Sequence, residues 1–219
     1  MKWMCALLLA ALWPVTLALA EPPVEQDRDY LSGRPAAPSD VWQVARGGKL
    51  YDNWIDARLV RAPAQVHPAL TATKQEPADS WRCKTCHGWD YAGTAFGPAL
   101  TSRRPMSEAK LTAVLRAAPH GYDAAKLAAE DITALQAFLV RGVIKTGRYI
   151  DAKGQSRGDA RRGQPYYETV CAACHGYDGR TLGFWDGQEL AYVGSEARDE
   201  PAEVLHKIRF GHPGEPMVA

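Results

Sequence analysis

Apolar positions recur at helical spacing in two long stretches of the chain. Over Ser107 to Ala117, Leu111, Val114 and Leu115 share one face, and Ser107 stands where an N-cap belongs. Over Leu127 to Val140, Ile132, Leu135, Phe138 and Leu139 repeat with the same period. A third and shorter helix is expected over Ala202 to Phe210, directly after Pro201. Between these elements the pattern lapses. Residues 142–159 hold Gly, Lys and Arg with little apolar periodicity, which marks a linker. The stretch 56–82 carries Pro63, Pro68 and Pro77 and is expected to be a surface loop, because proline breaks both regular structures.

The N-terminus reads differently. Lys2 precedes a continuous apolar run from Ala6 to Leu12, and Ala18-Leu19-Ala20 offers small residues for cleavage before Glu21. This is the pattern of a secretory leader over residues 1–20, too short for a membrane span. Cys5 lies ahead of the apolar run, so it is not placed as a lipid acceptor. No later segment approaches 18 consecutive apolar residues, so no membrane span is expected after cleavage.

Composition narrows the partners. Loss of Lys2 with the leader takes the 26 basic residues to 25, equal to the 25 acidic ones. A balanced chain argues against nucleic acid or an anionic membrane as the main partner. Charge is uneven locally. Lys145, Arg148, Lys153, Arg157, Arg161 and Arg162 face only Asp151 and Asp159, which suits a solvated linker or a docking strip for an acidic redox partner.

The chemistry sits in one pentapeptide used twice, Cys83-Lys84-Thr85-Cys86-His87 and Cys171-Ala172-Ala173-Cys174-His175. Two cysteines separated by two residues and followed at once by histidine form the attachment signature of c-type haem. The cysteines bond the porphyrin and the histidine, His87 or His175, is the proximal iron ligand. A zinc site would bring its second Cys pair within 15–20 residues, whereas Cys171 lies 85 positions after Cys86. A thioredoxin-like pair needs a βαβ setting that the flanks lack. A disulfide framework leaves the two histidines unexplained. Two covalently bound haem c groups are therefore expected, and with an exported chain they place it in the periplasm.

The motifs belong to an internal repeat. Arg46-Gly47-Gly48-Lys49-Leu50-Tyr51-Asp52 parallels Arg161-Arg162-Gly163-Gln164-Pro165-Tyr166-Tyr167, and Gly88-Trp89-Asp90 parallels Gly176-Tyr177-Asp178. From Gly48 to Cys83 is 35 positions and from Gly163 to Cys171 only 8, so the first repeat carries about 27 extra residues, roughly 56–82. Two domains follow, 40–141 and 160–219, joined by the linker 142–159.

These residues resemble the small single-haem cytochrome c family, here in tandem. Besides the two haem motifs, the likeness rests on Gly-x-x-x-Tyr before the motif, Gly97-Pro98-Ala99-Leu100 after it, and Leu127-x-x-Glu130-Asp131-Ile132 before the last helix. It covers about residues 40–217 apart from the insert. The resemblance implies an all-α fold of two tandem cytochrome c domains, each a few short helices around a covalent haem. It implies that the Pro98 carbonyl accepts from the His87 ring. It also implies that the 127–140 helix crosses the N-terminal helix at Gly47–Gly48, where absent side chains let the backbones approach. The chain departs from the family at Ala128, where a Ser or Asp N-cap is usual, and in the second repeat, which has no Gly-Pro-x-Leu and no clear closing helix.

The same resemblance bears on the sixth iron ligands. Met217, in the Gly-Pro-rich segment after the short helix, is expected for the second haem, with His212 as alternative. His120, seven residues before Leu127, is expected for the first, with Met106 and His67 as alternatives. One His/His and one His/Met haem would differ in potential, methionine giving the higher one. Trp81, Trp89, Tyr91 and Trp185 flank the motifs and are expected as apolar walls for the porphyrin. The expected function is electron transfer by a carrier, or by an electron-transfer subunit of an oxidoreductase or respiratory complex. The alternatives are a haem enzyme active on thiosulfate or peroxide, and an obligate subunit packed on a partner. No mature cysteine remains to act as a thiolate ligand to iron.

Overall fold

The computed structural model describes residues 35, 37–101, 106–185 and 189–217. The expected leader and Cys5 lie outside them. The described chain is mostly helical. Its one named strand pair is the two-residue antiparallel match of β1 (Phe184–Trp185) with β2 (Leu190–Ala191).

The core is built on α1 (Asp40–Ala57), capped by the Ser39 hydroxyl, which accepts from the Trp42 amide. It buries Leu50, Tyr51, Trp54 and Ile55. Behind it come two one-turn helices, α2 (Pro77–Ser80) and α3 (Cys83–His87), the latter holding the first motif. The periodic stretches are helices as expected. They are α4 (Glu108–Arg116), capped by Ser107, and α5 (Ala129–Ala137), which widens into a π turn over Phe138–Gly142. Ala128 offers no side-chain cap to α5. Asp131, one turn in, accepts from the Ala128 amide at 3.1 Å and so supplies half of a capping box. The same buried carboxylate pairs with Arg46 at 3.2 Å and Arg58 at 3.0 Å, tying the start of α5 to the second turn and the C-terminal end of α1.

The second half begins after an irregular, hydrogen-bonded linker. It comprises α6 (Ala160–Tyr166), a π turn over Tyr167–Cys171, α7 (Ala172–His175), α8 (Val193–Asp199) and α9 (Pro201–Phe210). Helix α9 lies within the stretch expected as the second domain, yet it packs on α1. Phe210 and His206 are 2% and 0% exposed inside the core of the first half. The His206 Nε2 donates to the Gly48 carbonyl at 2.9 Å, and its Nδ1 accepts from the Tyr91 hydroxyl at 2.6 Å.

The adjacent glycines of α1 thus serve two different helices. A Cβ at Gly47 would collide with the Ala134 carbonyl and Phe138 of α5, the crossing expected from the sequence. A Cβ at Gly48 would strike Phe210 of α9, a crossing that the sequence did not suggest.

The insert 56–82 differs from the expected surface loop. It buries His67, Leu70, Ser80 and Trp81. Pro68 and Pro77 each open a single helical turn, and side chains anchor the rest. Trp81 Nε1 donates to the Gln65 carbonyl at 2.8 Å, and the Trp81 carbonyl accepts from Trp54 Nε1 at 3.0 Å and from the Tyr122 hydroxyl at 2.8 Å.

Candidate functional site

The two motifs share a local frame. Each closes on a glycine in positive φ, Gly88 at φ 76° and Gly176 at φ 78°, a conformation glycine adopts without steric cost. In each, an aspartate two residues on accepts an amide, Asp90 from Ala92 and Asp178 from Arg180, both at 3.0 Å. The histidine carbonyls also match, since His87 accepts from the Gly93 amide and His175 from that of Thr181, again at 3.0 Å.

A tyrosine from the preceding helix donates to each closing glycine, Tyr51 to the Gly88 carbonyl and Tyr167 to that of Gly176. This bond sets the repeat's register one residue away from the sequence match. Tyr51 corresponds to Tyr167 rather than Tyr166, and Gly47 rather than Gly48 corresponds to Gly163. Two consecutive tyrosines in α6 and its π turn made the sequence alignment ambiguous.

Around the first motif, the bridge between Thr94 and Gly97 folds the chain back so that Gly97 lies against Cys86. The next residue then reaches the histidine, and His87 Nδ1 donates to the Pro98 carbonyl at 2.8 Å. A proton on Nδ1 leaves the lone pair of the neutral ring on Nε2, the nitrogen suited to a metal. His120 is held in the same way from another side. It follows the cis Ala118–Pro119 peptide at the end of α4, and its Nδ1 donates to the Val114 carbonyl at 3.1 Å. Burial and the neighbouring His87 ring lower the His120 pKa, favouring the neutral, ligand-competent ring.

The two imidazoles stand 6.2 Å apart between centroids, with planes inclined by 21°. A ring centroid lies about 1 Å from its nitrogen and a metal–histidine bond is about 2 Å, so two rings on one metal ion stand about 6 Å apart. The observed centroid spacing matches that distance. His67 has both ring nitrogens engaged, Nδ1 accepting from the Ala69 amide at 3.2 Å and Nε2 donating to the His120 carbonyl at 3.0 Å. Met106 is tied by its carbonyl to Gln136 Nε2 at 3.1 Å.

The thiols do not resemble those of a redox or nucleophilic pair, whose pKa values are lowered. Burial raises both Cys83 and Cys86, the former to about 12. Among the described residues none of the four cysteines forms a disulfide, and no three His, Cys, Asp or Glu side chains group as a metal cluster.

The second motif is set more loosely. Among the described residues His175 Nδ1 is buried with no hydrogen-bond partner, in keeping with a repeat that lacks Gly-Pro-x-Leu. Its ring neighbour is Phe184 at 6.1 Å. The Gly211–Met217 segment follows α9 onto the first half, where Gly214 lies beside Asp56 at the end of α1. The Met217 carbonyl accepts from the His212 amide at 3.2 Å.

The four aromatics divide. Trp81 and Tyr91 are buried in hydrogen bonds to protein, and Trp89 lies 5.2 Å from His206 with Arg82, Lys84 and Lys207 around its face. Trp185 is 71% exposed.

Sequence reasoning missed His206 and the placement of His67. His206 carried a signal, since it stands four residues before Phe210 on the helical face that both share. His67 carried none, because the insert has no period to read. Comparison with protein-family models, curated proteins and solved structures found no match. Among the described residues no helix is long and apolar enough to cross a membrane.

Proposed function

We propose that this chain is a periplasmic dihaem c-type cytochrome that transfers electrons as a carrier or as an electron-transfer subunit. The observation that supports the reading is the 6.2 Å spacing of the His87 and His120 rings, each oriented by an Nδ1 bond to a backbone carbonyl. Cys83 and Cys86 would hold the first haem, with His87 and His120 as axial ligands. Cys171 and Cys174 would hold the second, with His175 proximal and Met217, on its sequence position alone, distal.

Bound haem supplies a one-electron couple at iron. The residues do the rest. The Pro98 carbonyl fixes the His87 tautomer and increases its basicity as a ligand. The Val114 carbonyl does the same for His120. Tyr51 and Tyr167 brace the turn behind each proximal histidine. Two imidazoles at the first site favour a lower potential than methionine at the second, so electrons run from the first site to the second. Docking would use the exposed cations of residues 145–162, none of which forms an ion pair among the described residues. That basic stretch suits an acidic redox partner.

A second reading is a haem enzyme active on small molecules such as peroxide or thiosulfate. It is favoured at the second site, where among the described residues the ring beside His175 is that of Phe184. Carbon monoxide uptake by the reduced, matured protein separates the two. A carrier with both irons six-coordinate takes up none on mixing. Rapid uptake, with turnover of peroxide or thiosulfate, would overturn the carrier reading.

A further inference from the structure

The insert 56–82, found in the first repeat alone, reaches both sides of the first site. On the side of the motif, the Trp81 carbonyl, two residues before Cys83, accepts from Trp54 and Tyr122. On the opposite side, His67 Nε2 donates to the His120 carbonyl at 3.0 Å. His67 is 5% exposed and is itself fixed on every edge. Its amide donates to the Ser80 hydroxyl at 2.9 Å, its Nδ1 accepts from the Ala69 amide, and its ring lies 4.5 Å from that of Trp81 at a 70° inclination. The acceptance at Nδ1 places the ring proton on Nε2, so the bond to His120 has a definite donor.

We propose that His67 is a positioning residue that holds His120 in place as the second axial ligand of the first site. The inference rests on the reading of His120 as that ligand. His120 sits on a short connection between α4 and Leu127 and needs restraint from outside its own segment. Its ring is aimed by Val114 and its main chain is held by His67. The brace runs from the flank of Cys83 through Trp81 to His67 and ends on the His120 carbonyl, so one folded insert registers both faces of the site. In the second repeat Tyr167 stands only four residues before Cys171, which leaves no room for such a brace. The insert thus accounts for a histidine-paired first site and a differently built second one.

The test uses the full chain matured with haem. His67→Leu and His67→Phe both remove the donor while filling the space, so one poorly folding variant leaves the other to decide, and His67→Gln restores an N–H donor. Electron paramagnetic resonance of the ferric protein and carbon monoxide uptake of the ferrous protein are read beside the unfolding midpoint. Loss of one buried hydrogen bond should shift the balance between bound and released imidazole about tenfold. The donor-less variants should therefore gain a high-spin first site and take up carbon monoxide, while His67→Gln stays low-spin. Thr73→Val removes a hydroxyl that donates to the Leu70 carbonyl at 2.7 Å elsewhere in the insert, and should lower the midpoint while leaving the spectrum unchanged. Donor-less variants that stay low-spin, or a Thr73→Val variant that becomes equally high-spin, would overturn the inference. His120→Ala separates the two levels. If it remains low-spin, the ligand reading itself fails; if it turns high-spin while the donor-less variants do not, the fault lies with His67 alone.

Discussion

The two halves share a turn and differ in what surrounds it. Tyr51 on Gly88 and Tyr167 on Gly176 make the same bond behind the same pentapeptide. In the first half that frame is enclosed. Helix α5 covers Gly47, α9 covers Gly48, the insert closes one flank, and Tyr51 is 2% exposed. In the second half a Cβ at Gly163 would meet nothing within 4 Å, and Tyr166, Val170, Tyr177 and Trp185 are exposed. A motif and its turn are therefore local, set by five residues and one tyrosine. The enclosure is not local. It comes from long-range helix crossings, and the second half lends its own helix α9 to complete the first.

The sharpest way to break the contrast is Phe210→Ala. Although it lies far along the chain from the first motif, it should destabilise the first half by about 4 kcal/mol, as for a buried aromatic truncated in a core. Denaturant unfolding of the matured chain would show it, and a change below about 1 kcal/mol would mean that α9 is not part of that core. Gly47→Ala should cost about 3 kcal/mol, because the added carbon meets the Ala134 backbone and cannot be relieved by a rotamer change. Its counterpart Gly163→Ala should be neutral or stabilise by up to about 1 kcal/mol through helix propensity. Equal costs would erase the difference between the halves.

Acid probes the same joint through His206. Burial lowers its pKa from 6.5 to about 4, opposed by Asp52 and the Gly48 carbonyl and assisted by Lys207. The unfolded chain therefore binds a proton that the folded one refuses. Stability held by α9 is complete above about pH 6.5 and falls as the pH drops towards 4, by on the order of 3 kcal/mol. His206→Gln should flatten that slope. The smallest effect is the paired test of the tyrosines. Tyr51→Phe, with the tyrosine buried, should cost about 1–2 kcal/mol, and Tyr167→Phe, with the tyrosine half-buried, less than about 1 kcal/mol.

The sequence made legible whatever was local or periodic. Leu111 and Leu115 reported α4, Ile132 and Leu135 reported α5, and each Cys-x-x-Cys-His reported its own turn. The Pro98 carbonyl was legible through the resemblance to cytochromes c, and the His87 ring donates to it. The rest depended on pairings that no local pattern encodes. His206 reads as one polar residue on an apolar stripe until Tyr91 and Gly48 supply its two partners. His67 sits among prolines without a period, and only its bonds to Ser80, Ala69 and His120 show that the insert is folded. The register of the repeat failed by one residue because Tyr166 and Tyr167 are equivalent until a hydroxyl is seen reaching Gly176.

The central claim is that each pentapeptide carries a covalent haem, and intact mass spectrometry of the chain matured in a periplasm tests it most directly. The expected mass is that of the chain plus two haem groups under denaturing conditions. Cys83→Ala with Cys86→Ala, or Cys171→Ala with Cys174→Ala, should each remove one group and leave the other. A denatured mass without haem, or one unchanged by either pair of substitutions, would contradict the account.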